Sequence, residues 1–502
     1  MNSLHRTKSM LKCCFSVSVG LFVSFASQQL HAQNPSASTL SDATKTAAAV
    51  LPPPSASARE LFAKYKERLV QVRVLLNSAN EQSALGSGFV VRDDGSKGAW
   101  FITNYHVVSS LAINPEKYRL ELRPTNERTV KAKLIAVDVL HDLAVLRSEP
   151  DTATATADKA APWTPFALRD TALTQGEKVF SLGNPLELGF LISEGIYNGG
   201  AESKIYEQML FSGALNSGMS GGPAVDEMGR VVGVNVSTMN GGSLLSFLVP
   251  IRYGRDLLER AWQAAPRKEW RTEIAKQLLE HQAFVIGKLL SGITNKDSVV
   301  VTTPAVALTK EQTGKAGSSL TKEQTGKAGF ASQTLSGRTV PTLDGNLTKC
   351  WAGGRDGEKL RYQRDTLTCS LRSSVYVRGN LQTGALWLSH TLLRNDKLAT
   401  PQFLNLDARS RFASSAELTY GGSGKEVSRS ECQDDYVQGA AHVYRVSMCL
   451  QTLQKFEGVY NFDVRAMQMD DARERLSSNL ILNGVSFENG QRVSRLFLER
   501  LQ

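Results

Sequence analysis

Hydrolysis by an activated serine needs a nucleophile, a base within hydrogen-bond reach, an acid that orients the base, and backbone donors aimed at the developing oxyanion. Residues 216–223 read Asn216-Ser217-Gly218-Met219-Ser220-Gly221-Gly222-Pro223. Glycines on both sides of Ser220 permit a tight turn whose N–H groups converge on one oxygen. Ser220 is therefore the candidate nucleophile, with the N–H groups of Gly218 and Ser220 as oxyanion donors; a glycine-rich hairpin with an incidental serine is the plainer alternative. Of seven histidines, only His106 and His141 lie in the strand-rich part of the chain. His106 follows the apolar Trp100-Phe101-Ile102, at a strand end where a side chain can face a cleft. His141 adjoins Asp142, and neighbours on a strand point to opposite faces. His106 is thus the candidate base, and Asp142, just ahead of the apolar Leu143-Ala144-Val145-Leu146, its preferred orienter, with Asp138 as the rival.

The elements that must hold these groups follow from patterning. Residues 33–57 are rich in Ala, Ser, Thr and Pro and read as a disordered linker. A short helix is expected from Ala58 to Glu67 and a first strand over Val70-Gln71-Val72-Arg73-Val74-Leu75. Strand then follows strand to Pro250, with turn signals at Asp93-Asp94-Gly95 and Asn240-Gly241-Gly242, a pattern of sandwiches and barrels. Within 253–294, Trp270, Ile274, Leu278, Val285 and Leu289 mark an amphipathic helix, packed across the preceding domain or spacing two domains apart.

Four motifs stand in order: Thr103-Asn104-Tyr105-His106-Val107-Val108, His141-Asp142-Leu143-Ala144-Val145-Leu146, Gly183-Asn184-Pro185 and Gly218-Met219-Ser220-Gly221-Gly222-Pro223. Together they resemble the HtrA (Deg) branch of trypsin-like serine proteases over residues 68–252, within a protease domain expected at 58–252. The resemblance implies a mainly β trypsin-like double β-barrel of two six-stranded barrels with the active site between them. It also implies peptide-bond hydrolysis through an acyl-enzyme, without metal or cofactor, by His106, Asp142 and Ser220. In trypsin-like folds the base of the specificity pocket lies six residues before the nucleophile, here Ala214; lacking a carboxylate, it favours a small or medium apolar side chain over Arg or Lys. Met219 stands where asparagine is commonest, and no PDZ domain is recognisable.

The remaining features bound the setting. His5, Arg6, Lys8 and Lys12 precede an apolar run and Leu30-His31-Ala32, the order of a secretory signal peptide over 1–32, which places the chain in a periplasm or outside the cell with no stable membrane span after cleavage. Four cysteines then remain, Cys350, Cys369, Cys432 and Cys449, expected as two disulfides between sequence neighbours. A zinc site is disfavoured, since there is no close cysteine pair and no HExxH helix. The net charge of +10 comes without a nucleic-acid-binding signature. Residues 308–317 recur at 320–329, a duplicated Gly/Thr/Lys-rich unit in a flexible linker over 295–339. From 340 to 502 alternation returns, with strands at Val375-Tyr376-Val377, Ala385-Leu386-Trp387-Leu388, Val443-Tyr444-Arg445-Val446 and Leu480-Ile481-Leu482, then a turn at Asn489-Gly490 and a closing helix bearing Val493, Phe497 and Leu501. This separate β-rich domain is expected to bury Trp351, Trp387, Tyr376 and Tyr444. The expected partners are polypeptide substrates; the alternative is a non-catalytic adaptor whose C-terminal domain binds cell wall or a partner protein.

Overall fold

The runs Trp100-Phe101-Ile102 and Leu143-Ala144-Val145-Leu146 are apolar without alternation because their strands are covered on both faces. Phe101, Ala144 and Leu146 enter one apolar cluster with Val70, Val72 and Val74, while Trp100, Ile102, Leu143 and Val145 enter another with Phe180, Leu182 and Val234. The first cluster fills one barrel; the second lies between two. In the computed structural model the described residues are 55–501, apart from 127, 151–162, 186–187, 203, 239–244, 265–268, 291–329, 344, 346, 356–360, 372–373, 380, 407–425 and 440. The expected signal peptide, the duplicated repeat and the Asn240-Gly241-Gly242 turn lie outside them.

After helix α1 (Ala56–Tyr65), six strands close the first barrel in the order β1-β2-β3-β6-β5-β4: β1 (Leu69–Leu76), β2 (Gln82–Asp93), β3 (Ala99–Thr103), β4 (Tyr118–Pro124), β5 (Val130–Asp138) and β6 (Leu143–Ser148). Helix α2 (Tyr105–Ile113) follows β3. The second barrel closes as β10-β11-β12-β9-β8-β7, from β7 (Lys178–Gly183), β8 (Leu191–Gly200), β9 (Met209–Phe211), β10 (Pro223–Val225), β11 (Val231–Thr238) and β12 (Ser246–Pro250). Helix α3 (Ile251–Gln263), which the composition change after Arg252 did not separate from the helix that follows, seals the two barrels with Ile251, Leu257 and Ala261.

Helix α4 (Trp270–Leu290) packs across the preceding domain and does not hold the C-terminal part away from it, since Val375, Val377 and Leu381 share a cluster with α2 (Tyr105–Ile113). Trp270, Ile274 and Leu278 pack into the first-barrel cluster, and Val285, Ile286 and Leu289 pack into the C-terminal core. That core lies under a seven-stranded sheet, β15-β16-β19-β23-β22-β21-β20. Its strands are β15 (Thr348–Arg355), β16 (Tyr362–Leu371), β19 (Leu386–Asn395), β20 (Glu431–Gln438), β21 (Val443–Thr452), β22 (Tyr460–Gln468) and β23 (Glu474–Val485). Two hairpins accompany it, β13 (Ala331–Leu335) with β14 (Arg338–Thr342), and β17 (Val375–Arg378) with β18 (Leu381–Thr383). The first hairpin begins inside the stretch read as linker. A short helix, α5 (Thr400–Asn405), follows β19. Cys350 is bonded to Cys369 across β15 and β16, and Cys432 to Cys449 across β20 and β21, the expected neighbour pairing.

The expected turn at Asn489-Gly490 is instead the first turn of helix α6 (Phe487–Glu499). Ser486 caps this helix by accepting the Asn489 N–H, and Gly490 lies against the Phe462 ring, where a Cβ would come within 2.1 Å of it. Of the four aromatics expected in the core, Tyr444 is buried, Tyr376 half-buried, and Trp351 and Trp387 are exposed. Among the described residues no helix is long and apolar enough to cross a membrane.

Candidate active site

Three segments meet where the barrels face each other. From the first barrel come the start of α2, carrying His106, and the turn between β5 and β6, carrying Asp142. From the second comes the loop between β9 and β10, with Ser220. His106, Asp142 and Ser220 line one cleft of about 1030 Å³.

Asp142 binds the first turn of α2 by several routes. Its Oδ2 lies 2.6 Å from His106 Nδ1, its Oδ1 accepts the His106 N–H at 2.8 Å, and its carbonyl accepts from Asn104 Nδ2 and from the Tyr105 N–H. The carboxylate thus satisfies an otherwise orphaned helix N–H while it orients the imidazole. Asp142 does this at φ 56°, a left-handed conformation that aspartate adopts more readily than most residues. Burial pulls the His106 pKa down, but the charge and hydrogen bond of Asp142 outweigh burial and hold it above the ordinary histidine value.

The rival carboxylate serves the other histidine. Asp138 accepts the Leu140 and His141 N–H groups through Oδ1, and its Oδ2 lies 3.0 Å from His141 Nδ1. The His141 ring stacks on Tyr253 at 3.9 Å between centroids. His141 and Asp142 are adjacent in a turn rather than on a strand, and each has its own partner.

The Ser220 loop is clamped by backbone bonds. Met219 N–H donates to Asn216 O, Gly222 N–H to Met219 O, and Gly221 N–H to Asn235 O. Gly218 and Gly221 take φ of 95° and 85°, where a side chain is strained. A Cβ on Gly221 would also come within 2.3 Å of Ser87 O. The Gly218 and Ser220 N–H groups have no partner among the described residues. Met219 is buried with Leu215, Phe211 and Val179, so its apolar side chain anchors the loop inside the second barrel. The Ser220 hydroxyl donates to Val236 O at 2.8 Å. Val236 is skipped by the β11–β12 ladder, whose register shifts between Asn235 and Ser237, the kind of bulge found beside active sites.

Ala214 is exposed and is not among the cleft residues; the apolar side chains that share the cleft with Ser220 include Leu215, Val236 and Phe247. One polar support escaped the sequence reading. Buried Ser87 of β2 donates to Gly218 O at 2.7 Å and accepts the Asn184 N–H at 2.9 Å, joining the first barrel to the Ser220 loop and to Gly183-Asn184-Pro185. Its signal was Gly86-Ser87-Gly88, two glycines inside a strand, which mark close backbone approach.

Comparison with known proteins fits this geometry. Residues 86–234 match the trypsin-like peptidase domain family. The mitochondrial serine protease HTRA2 of Drosophila virilis is 31% identical over 192 residues, covering 37% of this chain and 41% of that protein. Its counterpart in Drosophila grimshawi is 32% identical over 192 residues, covering 37% and 40%. The chain thus spans about two fifths of the length of these curated relatives. The crystal structure of the serine endoprotease from Yersinia pestis is 21% identical and covers 42% of this chain and 69% of that one, with a TM-score of 0.34. The stretch that holds His106, Asp142 and Ser220 is therefore a trypsin-like peptidase domain, similar to those of HtrA-type proteases.

Proposed function

We propose that the chain is a serine endopeptidase that cleaves exported or unfolded polypeptides through an acyl-enzyme. The observation that carries the reading is the 2.6 Å pairing of His106 Nδ1 with Asp142, on the cleft that also holds Ser220 beside two unpartnered N–H groups. With Nδ1 held by Asp142, His106 Nε2 is left to take the Ser220 proton and later to give it to the leaving amine. Ser220 Oγ attacks the scissile carbonyl, whose oxygen takes the Gly218 and Ser220 N–H groups. Water, deprotonated by the same imidazole, then releases the acyl group. An extended substrate joins the β11 side of the cleft at Val236 by strand addition. Its N–H takes the Val236 carbonyl, and the Ser220 hydroxyl turns to His106. Leu215, Val236 and Phe247 favour an apolar side chain next to the cleaved bond.

Two disulfides fit an oxidising compartment, which agrees with the export signal read from residues 1–32. The test is cleavage of an unstructured protein such as casein, together with labelling by a fluorophosphonate. Wild type is expected to cleave and to be labelled at Ser220, and Ser220→Ala to do neither. Equal turnover by both proteins removes the reading, and an unlabelled wild type favours the adaptor.

A further inference from the structure

The side of the cleft next to α2 is occupied by the C-terminal hairpin. Val375, Val377 and Leu381 are buried in the same apolar cluster as Val107 and Leu111 of α2. Tyr105 Oη donates a buried 2.8 Å hydrogen bond to Val377 O. Tyr376, between Val375 and Val377, is half-buried at the margin of that cluster. Its ring meets that of His106 nearly perpendicularly at 6.1 Å, and Ser374, Tyr376 and Gln382 line the cleft together with Ser220.

The far end of the hairpin is tied to the second barrel. His281 of α4 has Nδ1 2.7 Å from Tyr206 Oη, in the loop before β9, and Nε2 3.3 Å from Gly384 O, just after β18. A carbonyl only accepts, so Nε2 carries the hydrogen and Tyr206 donates to Nδ1. Gly384 lies at φ 70°, and a Cβ there would come within 2.6 Å of the His281 ring. The hairpin therefore connects α2 of the first barrel with the β8–β9 loop of the second.

That loop also brings a charge. Lys204, two residues before Tyr206, lines the same cleft with its ammonium 5.3 Å from the centre of the Phe247 ring. It has no carboxylate partner among the described residues, and burial lowers its pKa. Asp142, the carboxylate that lines the same cleft, is engaged by His106. A half-buried cation without a counter-ion is complemented by an anionic group on whatever fills the cleft.

We propose that the β17–β18 hairpin forms a third wall of the peptide-binding cleft, and that Lys204 selects a substrate segment with an acidic side chain lying between that wall and the second barrel. The proposal rests on the serine-peptidase reading above. The segment must be flexible, since it has to lie between two parts of one molecule, and the C-terminal domain thereby takes part in choosing the substrate.

The experiment profiles a peptide library with the full chain and with Lys204→Glu, Gln382→Lys and Gln382→Glu, each also treated with a fluorophosphonate. Gln382 is an exposed hairpin residue bonded to Ser374 Oγ, so both replacements are compatible with folding. Wild type is expected to prefer Asp or Glu at one substrate position by roughly tenfold, and Lys204→Glu to reverse the preference toward Lys or Arg. Gln382→Lys is expected to strengthen selection for acidic residues roughly threefold and Gln382→Glu to weaken it by as much, with both effects shrinking in high salt. Identical profiles for the two Gln382 variants overturn the hairpin wall, and an unchanged Lys204→Glu profile overturns acidic selection. A wild type that is not labelled at Ser220 removes the peptidase reading, and this proposal falls with it.

Discussion

Asp142 acts through both oxygens of one carboxylate, one on the His106 backbone and one on its ring. Asparagine keeps an oxygen for the backbone but loses the charge that holds the imidazole. Asp142→Asn is expected to lower kcat roughly 100-fold to 10,000-fold. It is also expected to move the acid limb of the pH–rate profile downward, because the Asp142 charge is what keeps the His106 pKa above 6.5. The stability contribution has the same origin. A histidine whose pKa is raised in the folded state stabilises fully below its unfolded pKa, and the gain disappears as pH rises through the folded value. Thermal melts should therefore show Asp142→Asn losing most stability below pH 6.5 and little on the alkaline side. That His106, Asp142 and Ser220 line one cleft was legible because each proposed role narrows the residue types that can fill it, although residue type alone left Asp138 beside Asp142. Ser87 was not, since its partner Gly218 is 131 positions away and nothing in a strand pattern ties the two together.

Secondary elements were legible where burial imposes a period, as in α4 and β1, and illegible where a cap competes with a turn signal. Asn489-Gly490 has the composition of a turn, yet Ser486 supplies the helix cap and Phe462 takes the space above Gly490. Gly490→Ala is consequently expected to destabilise by about 1–3 kcal/mol through overpacking, although alanine is the better helix former. Urea unfolding of the variant checks this, and a stabilised variant contradicts the packing argument. In the second barrel, Arg169 lies between Glu177 and Asp226. The hydrogen bond from Arg169, reinforced by the Thr174 N–H, lowers the Glu177 pKa to about 2. A carboxylate depressed in the folded state stabilises above its unfolded pKa and loses that effect as pH falls through the folded one. Glu177→Gln should melt below wild type above pH 4.5, and the gap should close toward pH 2. A constant gap across that window would point to packing rather than charge.

Across the whole molecule, strand patterns divide the chain into two domains joined by a helix and a linker, because they report which face is buried but not against what. The apolar face of α2 and the first half of α4 share a cluster with Val375, Val377, Leu381, Phe456 and Val459 of the C-terminal part. A chain ending near residue 291 would uncover the parts of those faces that lie against the C-terminal residues, and Val285, Ile286 and Leu289 of α4 as well. Such a fragment is expected to bind hydrophobic dyes and to melt well below the full chain, whereas the full chain should unfold in one calorimetric transition. Two resolved transitions would argue for separable domains. The division of α4 between two cores also has a hereditary consequence. Val285, Ile286 and Leu289 are covered only while the C-terminal part is present. A descendant that lost or exchanged that part would need polar replacements along α4 and α2 at the same time. The peptidase unit of this chain is therefore not an interchangeable cassette, and its history of recombination should be constrained accordingly.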